Sequence, residues 1–312
     1  MDHNTFIVSE EDDGERLDKL LAVLFPSYSR SFLQKLFEGK NQNSGGSVTL
    51  NGRAVKPSTK VRENDVVVFT VPDLVIPDIA PENIPLDILY EDDDVLVVNK
   101  PKDMVVHPAP GHYSGTLVNA VLYHCGDSLS GINGVMRPGI VHRIDKDTTG
   151  SLIICKNDAA HNSIAEQLAV HSITRSYIAI LYGHLPQQEI TVDKPLWRDP
   201  KDRKKMAIAP EGSGKRAVTH VHVLKEYRDY SYVECRLETG RTHQIRVHMA
   251  SIGHPILGDE IYAPNKKNPY KLQGQCLHAR VLGFVHPVTN AYIEVSAPIP
   301  GYFEHLLEIM PQ

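Results

Sequence analysis

The stretch that most constrains this chain is PDLVIPDIAPENIP, residues 72–85, which carries four prolines and no helical period. Proline fixes φ and removes a backbone donor, so this segment reads as an extended, semi-rigid connector. Single cores stop growing near the 312 residues present here, so a connector at this point divides the chain into two unequal cores. The expected layout is an acidic tail over 1–13, a small domain over 14–71, the connector, and a large domain over 86–312.

In the small domain, Leu17, Leu20, Leu21 and Leu24 recur at helical spacing until Pro26 stops them. A second helix is expected in YSRSFLQKLFEGK, with Ser29 as cap, a stripe of Phe32, Leu33, Leu36 and Phe37, and Gly39 as stop. Arg30, Lys35 and Lys40 lie off that stripe. SVTLNGRAV then predicts two short strands around an Asn51-Gly52 turn, and VVVFTV a further strand. Residues 14–71 hold nine Lys or Arg against five Asp or Glu, whereas residues 1–13 hold five acids and no Lys or Arg.

The large domain mixes strand-like runs (DVLVVNKP, SLIICKN, SYIAILYG, AVTHVHVL, SYVECRLET) with helical stretches such as HNSIAEQLAVHS. A formal charge of -5 argues against a chain that coats nucleic acid nonspecifically, while leaving room for local basic surfaces. The four cysteines are far apart and offer neither a CxxC zinc pair nor a disulfide framework. The first residues lack a basic start with an apolar run, and no stretch has the roughly 20 apolar residues that span a bilayer. A soluble, cytoplasmic protein is expected, with no membrane partner.

Two segments concentrate chemistry. In RPGIVHRIDKDTTGSLIICK, residues 137–156, the polar HRIDKDTTG sits between two apolar runs, where a loop on rigid neighbours can carry a site. Asp145 is flanked by Arg143 and Lys146, and once buried its carboxylate would need an opposing cation. Taken alone, an Asp in such a loop serves a turn more often than catalysis. LETGRTHQIRVHMASIGHPILGD reads as strand, Gly240 turn, Thr242 helix cap, helix and Gly253 stop. It gathers Arg241, His243, Arg246 and His248 near a helix start, where the dipole disfavours cations, so a partner carboxylate or phosphate is implied.

Three rival readings stay open on the residues alone. His142, Asp145, Asp147, His243 and His248 could converge on a metal ion, although no HExxH-like ligand pair is present. HRID faintly echoes the kinase HRD loop, but the chain lacks a matching Gly-rich loop, a placed DFG and the later Asn. A noncatalytic RNA-binding or ribosome-assembly factor on the same scaffold is the third.

Beyond spacing, HRIDKDTTG, RSYIAILYG, GRTHQIRVHMASIGHPILGD and QCLHARVLGFVHP, in this order, resemble the pseudouridine synthase family, in its branch with an N-terminal S-four-type RNA-binding domain. The resemblance runs from residue 14 over nearly the whole chain. It implies an α+β protein: a small N-terminal α/β RNA-binding domain, and a catalytic domain with a mixed, mainly antiparallel sheet flanked by helices and loops. The implied activity is isomerisation of uridine to pseudouridine in RNA, large-subunit ribosomal RNA by preference and transfer RNA as the other option. The protein would act as a monomer without cofactor or metal.

The resemblance places the nucleophilic aspartate at Asp145, the active-site tyrosine at Tyr177 and the aspartate's arginine partner at Arg246. Arg175 stands where the family pattern has Lys, which preserves charge. Arg143 would help extrude the target uridine, which is unreachable inside a helix. Its bland alternative is a salt bridge to Asp145 or Asp147. Phosphate contacts are expected from Arg30, Lys35, Arg241 and His243, and from PLWRDPKDRKKMAI, where Arg198, Lys201, Arg203, Lys204 and Lys205 outnumber Asp199 and Asp202.

Overall fold

The computed structural model describes residues 2–26, 33, 34, 36, 37, 47–71, 79–108, 113–126, 128–132 and 137–312. The chain divides into two compact units, Met1–Ile76 and Pro77–Gln312.

In the smaller unit, β1 (Asp2–Ile7), α1 (Leu17–Leu24), β2 (Ser47–Leu50), β3 (Arg53–Ala54) and β4 (Val66–Val71) follow in order. The strands form an antiparallel sheet ordered β1-β4-β2-β3. The expected hairpin is present: Leu50 pairs with Arg53, and Asn51 and Gly52 both take positive φ, which suits a primed two-residue turn. Leu17, Leu20 and Leu21 pack with Leu33, Leu36, Val48, Val67 and Phe69. Leu24 does not join them and is 43% exposed at the end of its helix.

The separate acidic tail is corrected. Asp2–Ile7 pairs along all of β4, and Val8 is buried in the same core, because the alternation of Asn4, Phe6 and Val8 with their neighbours suits a sheet edge. The five acids do not signal this. The second helix's Ser29, Phe32 and Gly39, and the cations Arg30, Lys35 and Lys40, lie outside the described residues.

The larger unit contains β5 (Ile88–Glu91), β6 (Val95–Lys100), α2 (Leu117–Cys125), β7 (Thr149–Cys155), α3 (Asp158–Ala169), β8 (Thr174–Tyr182), β9 (Glu189–Asp193), β10 (Leu196–Arg198), β11 (Met206–Ile208), β12 (Val218–Tyr227), β13 (Tyr230–Leu237), α4 (Gln244–Ser251), β14 (Leu277–Val285), β15 (Tyr292–Ser296) and α5 (Gly301–Ile309). Nine strands make one sheet ordered β5-β6-β7-β14-β8-β13-β12-β9, with β15 also on β14. Among the described strands, β7 with β14 is the parallel pair and the other pairings are antiparallel.

Both faces of the sheet's middle are buried, which is why these strands read as continuous apolar runs. Leu96, Val98, Leu152 and Ile154 belong to the larger core cluster, with residues of α2 and α5. Val95, Val97, Ile153 and Cys155 point the other way, toward Ala160 and Ile164 of α3. The period of two in side-chain direction thus sorts one apolar run into two layers.

Half of the expected connector belongs to this unit. Ile79 is buried in the larger core, the Glu82 amide donates to Asn119 O, and Asn119 Nδ2 donates to Ala80 O. An extended, proline-rich chain satisfies its backbone against α2 as well as against water. Residues 72–78 lie outside the described residues.

Candidate active site

The loop between Ile140 and β7 carries Asp145 without regular structure; the Thr148 amide donates to Asp145 O. Its shape is held from below by Lys100 at the end of β6. The Lys100 ammonium is fully buried and donates to three carbonyls, Pro101 O at 2.7 Å, Met104 O at 2.8 Å and Lys146 O at 2.9 Å. Burial draws its pKa down to about 7, against the pull of Asp147, Asp145 and Asp103. One cation thereby ties the residue after Asp145 to the sheet.

Opposite the loop, α4 presents Arg246. Its Nη1 donates to Asp145 Oδ2 at 2.8 Å, while Nε and Nη2 donate to Asp259 Oδ2 and Oδ1 at 2.7 and 2.9 Å. The guanidinium is 5% exposed, Asp259 is 0% and Asp145 17%. Burial works against the charge, yet Asp259 and Asp145 together hold the Arg246 pKa above the ordinary arginine value. This answers the conflict with the helix dipole: the cation near the start of α4 sits between two carboxylates. Asp259 Oδ1 also accepts the Ile261 and Tyr262 amides, so its direction is fixed by backbone.

Tyr177 sits on β8 between Cys235 of β13 and Ala279 of β14, in the middle of the sheet. It lines the same cavity of about 360 Å³ as Arg143, Asp145, Arg175, Arg241, His243 and Arg246. That volume suits a small ligand or one extruded nucleotide. Burial raises the Tyr177 pKa, with Arg175 opposing and Asp145 adding to the rise. Arg175 is buried and donates from Nη2 to Glu238 O; among the described residues no carboxylate pairs with it. A Cβ on Gly240 would lie 2.3 Å from Arg175 Nη1, so the glycine turn makes room for this guanidinium.

The start of α4 differs from the expectation. Thr242 is exposed and caps nothing; the cap position is His243, with left-handed φ 56° and ψ 18° and no side-chain capping bond. Gln244 does the local tethering instead: its Oε1 accepts from the Arg241 amide and Thr239 Oγ1, and its Nε2 donates to Val218 O. Gly253, at φ 87°, follows the helix end as expected.

Arg143 is exposed at the cavity with Nη1 3.4 Å from His107 Nε2, and among the described residues it forms no ion pair with Asp145 or Asp147. Arg241 donates from Nε to Arg216 O at 3.0 Å. Arg198, Lys201, Arg203, Lys204 and Lys205 sit on the β10–β11 hairpin. Its two acids shape the turn: Asp199 Oδ1 accepts the Lys201 and Asp202 amides, and Asp202 Oδ1 the Lys204 amide. Backbone donors also hold the Asp199 pKa below the usual carboxylate range. Trp197 lies half-buried on the first strand of the hairpin.

Four of the five residues of the metal reading have other partners: Asp145 pairs with Arg246 and His243 with Tyr262. His142 Nε2 accepts the Ile153 amide, and the His248 ring lies between Thr219 Oγ1 and Lys194 O. Among the described residues, the group whose ligand atoms lie together is Asp92, Asp94 and His286. There His286 Nδ1 accepts the Val288 and Thr289 amides, which leaves Nε2–H to donate to Asp92 Oδ2 at 2.7 Å. Sequence reasoning does not find Asp259, Tyr262 and Lys100 as parts of the site. Asp259 closes the same GRTHQIRVHMASIGHPILGD run that carries Arg246, 13 positions on, while Tyr262 and Lys100 lie outside it, 16 and 146 positions from Arg246.

Residues 94–251 match the family model described as RNA pseudouridylate synthase. An uncharacterized RNA pseudouridine synthase of Bacillus subtilis (strain 168), YlyB, is 52% identical over 96% of this chain and 95% of its own. The ribosomal large subunit pseudouridine synthase D of Zymomonas mobilis is 48% identical over 97% and 96%, and that of Escherichia coli (strain K12) 40% over 98% and 94%. Among solved structures, Human RNA Pseudouridylate Synthase Domain Containing 1 superposes with a TM-score of 0.57 at 27% identity, over 70% of this chain and 84% of that one. The chain belongs to the RNA pseudouridylate synthase family. The α+β fold and the enzyme class implied by the motifs are therefore both right.

Proposed function

We propose that this RNA pseudouridine synthase modifies uridines of large-subunit ribosomal RNA in the cytoplasm, with Asp145 as nucleophile, Arg246 as its counter-ion and Tyr177 beside the base. The observation that carries the roles is the Asp145–Arg246 pair at 2.8 Å on the wall of a cavity that also holds Tyr177. The reaction breaks the C1′–N1 bond of uridine, turns the uracil and joins its C5 to C1′, while the C5 proton is lost and N1 gains one. Electrons and atoms balance within the nucleotide, so the reaction consumes no redox equivalent.

Asp145 assists the first cleavage, by attack on C1′ or by aiding glycal formation, with Arg246 opposite in a largely dry pocket. Tyr177 packs on the base, and its phenol is available for the C5 proton. Arg143 stands at the mouth, where an extruded uridine leaves a gap in the helix. The hairpin cations and Arg241 hold phosphates. The smaller unit, the proposed S-four-type module, adds RNA contacts. Support for the ribosomal substrate comes from the large-subunit names of the Zymomonas and Escherichia relatives.

The test is Asp145→Asn. The variant should bind RNA and form no pseudouridine in transcripts of large-subunit ribosomal RNA. Turnover retained at a measurable rate removes Asp145 from its role.

A further inference from the structure

We propose that His243 is a positioning residue for Asp145: Tyr262 locks its ring as the Nε2–H tautomer, and that N–H steers the carboxylate oxygen which Arg246 leaves free. This rests on the reading of Asp145 as nucleophile. Arg246 occupies Oδ2; His243 Nε2 lies 3.7 Å from Oδ1. That separation exceeds a hydrogen bond, so the contact is between charge and dipole. It orients the carboxylate without occupying the lone pairs of Oδ1.

The tautomer follows from proton accounting. Tyr262 Oη accepts the Met206 amide at 2.9 Å and lies 2.8 Å from His243 Nδ1. Among the described residues, His243 Nδ1 is the sole acceptor within reach of the phenol's own proton. Nδ1 therefore accepts, and in a neutral ring the proton resides on Nε2. Burial draws the His243 pKa below the ordinary histidine value; Arg246 and Arg143 act in the same direction, Asp145 and Asp259 against it. Burial likewise raises the Tyr262 phenol to about 12, which keeps it a donor.

The backbone points the same way. His243 is held in the left-handed region at φ 56°, which costs a residue with a Cβ free energy, and it makes no capping bond in return. The cost delivers the ring edge-on to Tyr262, at 5.6 Å between centroids, and Tyr262 in turn packs on the Arg246 guanidinium at 5.1 Å. Met206 begins β11, so the chain Met206 N–H, Tyr262 O–H, His243 N–H runs from the basic hairpin to Asp145. Orientation of the nucleophile is thereby tied to the element that carries the hairpin cations.

Two amides separate this role from a structural one. Gln at 243 puts an N–H where Nε2 stands but loses the bond to Tyr262; Asn replaces Nδ1 and leaves nothing near Asp145. Asn also tolerates left-handed backbone better than His or Gln. His243→Asn should therefore melt no lower than His243→Gln, yet lose about 10–100-fold in single-turnover rate, with Gln retaining activity within about 5-fold of the native enzyme.

Tyr262→Phe, which frees the tautomer, should fall between them. The substrate is transcribed, unmodified large-subunit ribosomal RNA, and its binding should change less than about 2-fold in all three. Equal rate losses for Asn and Gln overturn the proposal. So does weakened RNA binding at an unchanged bound-state rate, which makes His243 an RNA contact. Asp145→Asn is run alongside: if it is inactive, those outcomes strike His243 alone, and if it is active the reading of Asp145 fails first.

Discussion

Replacing Asp259 by Asn should destabilise the large unit more than replacing Asp145 by Asn, although Asp145 is the proposed nucleophile. Arg246 sends two of its three carboxylate bonds to Asp259, whose side chain is 0% exposed. Asp259 Oδ1 must also accept the Ile261 and Tyr262 amides. An Asn can keep its oxygen at that site only by turning its NH2 toward Arg246 Nε, donor against donor. Breaking one side of a buried ion pair costs about 3–5 kcal/mol.

At Asp145, 17% exposed, an Asn oxygen still accepts from Nη1, and only the charge assistance goes, about 1 kcal/mol. The difference of at least ~2 kcal/mol corresponds to roughly 4–8 °C in Tm for a unit of this size. Trp197 is the chain's single tryptophan and lies in the large unit, so its fluorescence follows that unit alone through urea or heat. Asp259→Asn should also slow pseudouridine formation about 10–100-fold, because Arg246 loses its anchor. A midpoint for Asp145→Asn at or below that of Asp259→Asn refutes the assignment of Asp259 as the main support.

Three further outcomes are expected. Acid should weaken the fold well before its carboxylates titrate, because burial lowers His142 to about 3 and His278 to about 4 from an ordinary histidine value of 6.5. Their folded pKa lies below the unfolded one, so this stability is complete above pH 6.5 and is lost as pH falls toward those values. For His142 the full loss reaches roughly 5 kcal/mol, and His142→Gln, which can still accept the Ile153 amide, should flatten the fall in urea midpoint between about pH 7 and 5. Removing Arg203, Lys204 and Lys205 should lower the slope of log binding constant against log salt by about 0.7–0.9 for each phosphate no longer neutralised; an unchanged slope places the RNA elsewhere. Gly150→Ala should cost more than about 3 kcal/mol, because its Cβ would lie 2.3 Å from Ala279 O at φ +110°, and a native Trp197 midpoint would contradict the β7–β14 register.

Sequence patterns reach the parts of this molecule unevenly. Asp145, Tyr177 and Arg246 are legible because each sits in a run of motif residues, and the Asn51-Gly52 hairpin because two positive-φ residues between alternating runs admit few alternatives. The first strand escapes because acidic residues weigh on composition, whereas an edge strand needs only backbone partners and one apolar face. Thr242 misleads as a cap because its side chain has the right chemistry; the backbone instead turns at His243, where Gln244 does the tethering.

What the sequence determined by itself was local: the periods of its helices and strands, the glycine turns, the proline arm, and the motifs that name the family. What only the tertiary structure decided was partnership. Asp259 reaches Arg246 from 13 residues on, Lys100 reaches the Asp145 loop from 46 residues before Lys146, and Tyr262 joins the hairpin to His243. The physical reason is that desolvation makes a buried charge or N–H require a partner without specifying where in the chain that partner lies. Only the packed fold, which brings the end of β6 to the Asp145 loop and the segment after α4 to Arg246, settles the choice.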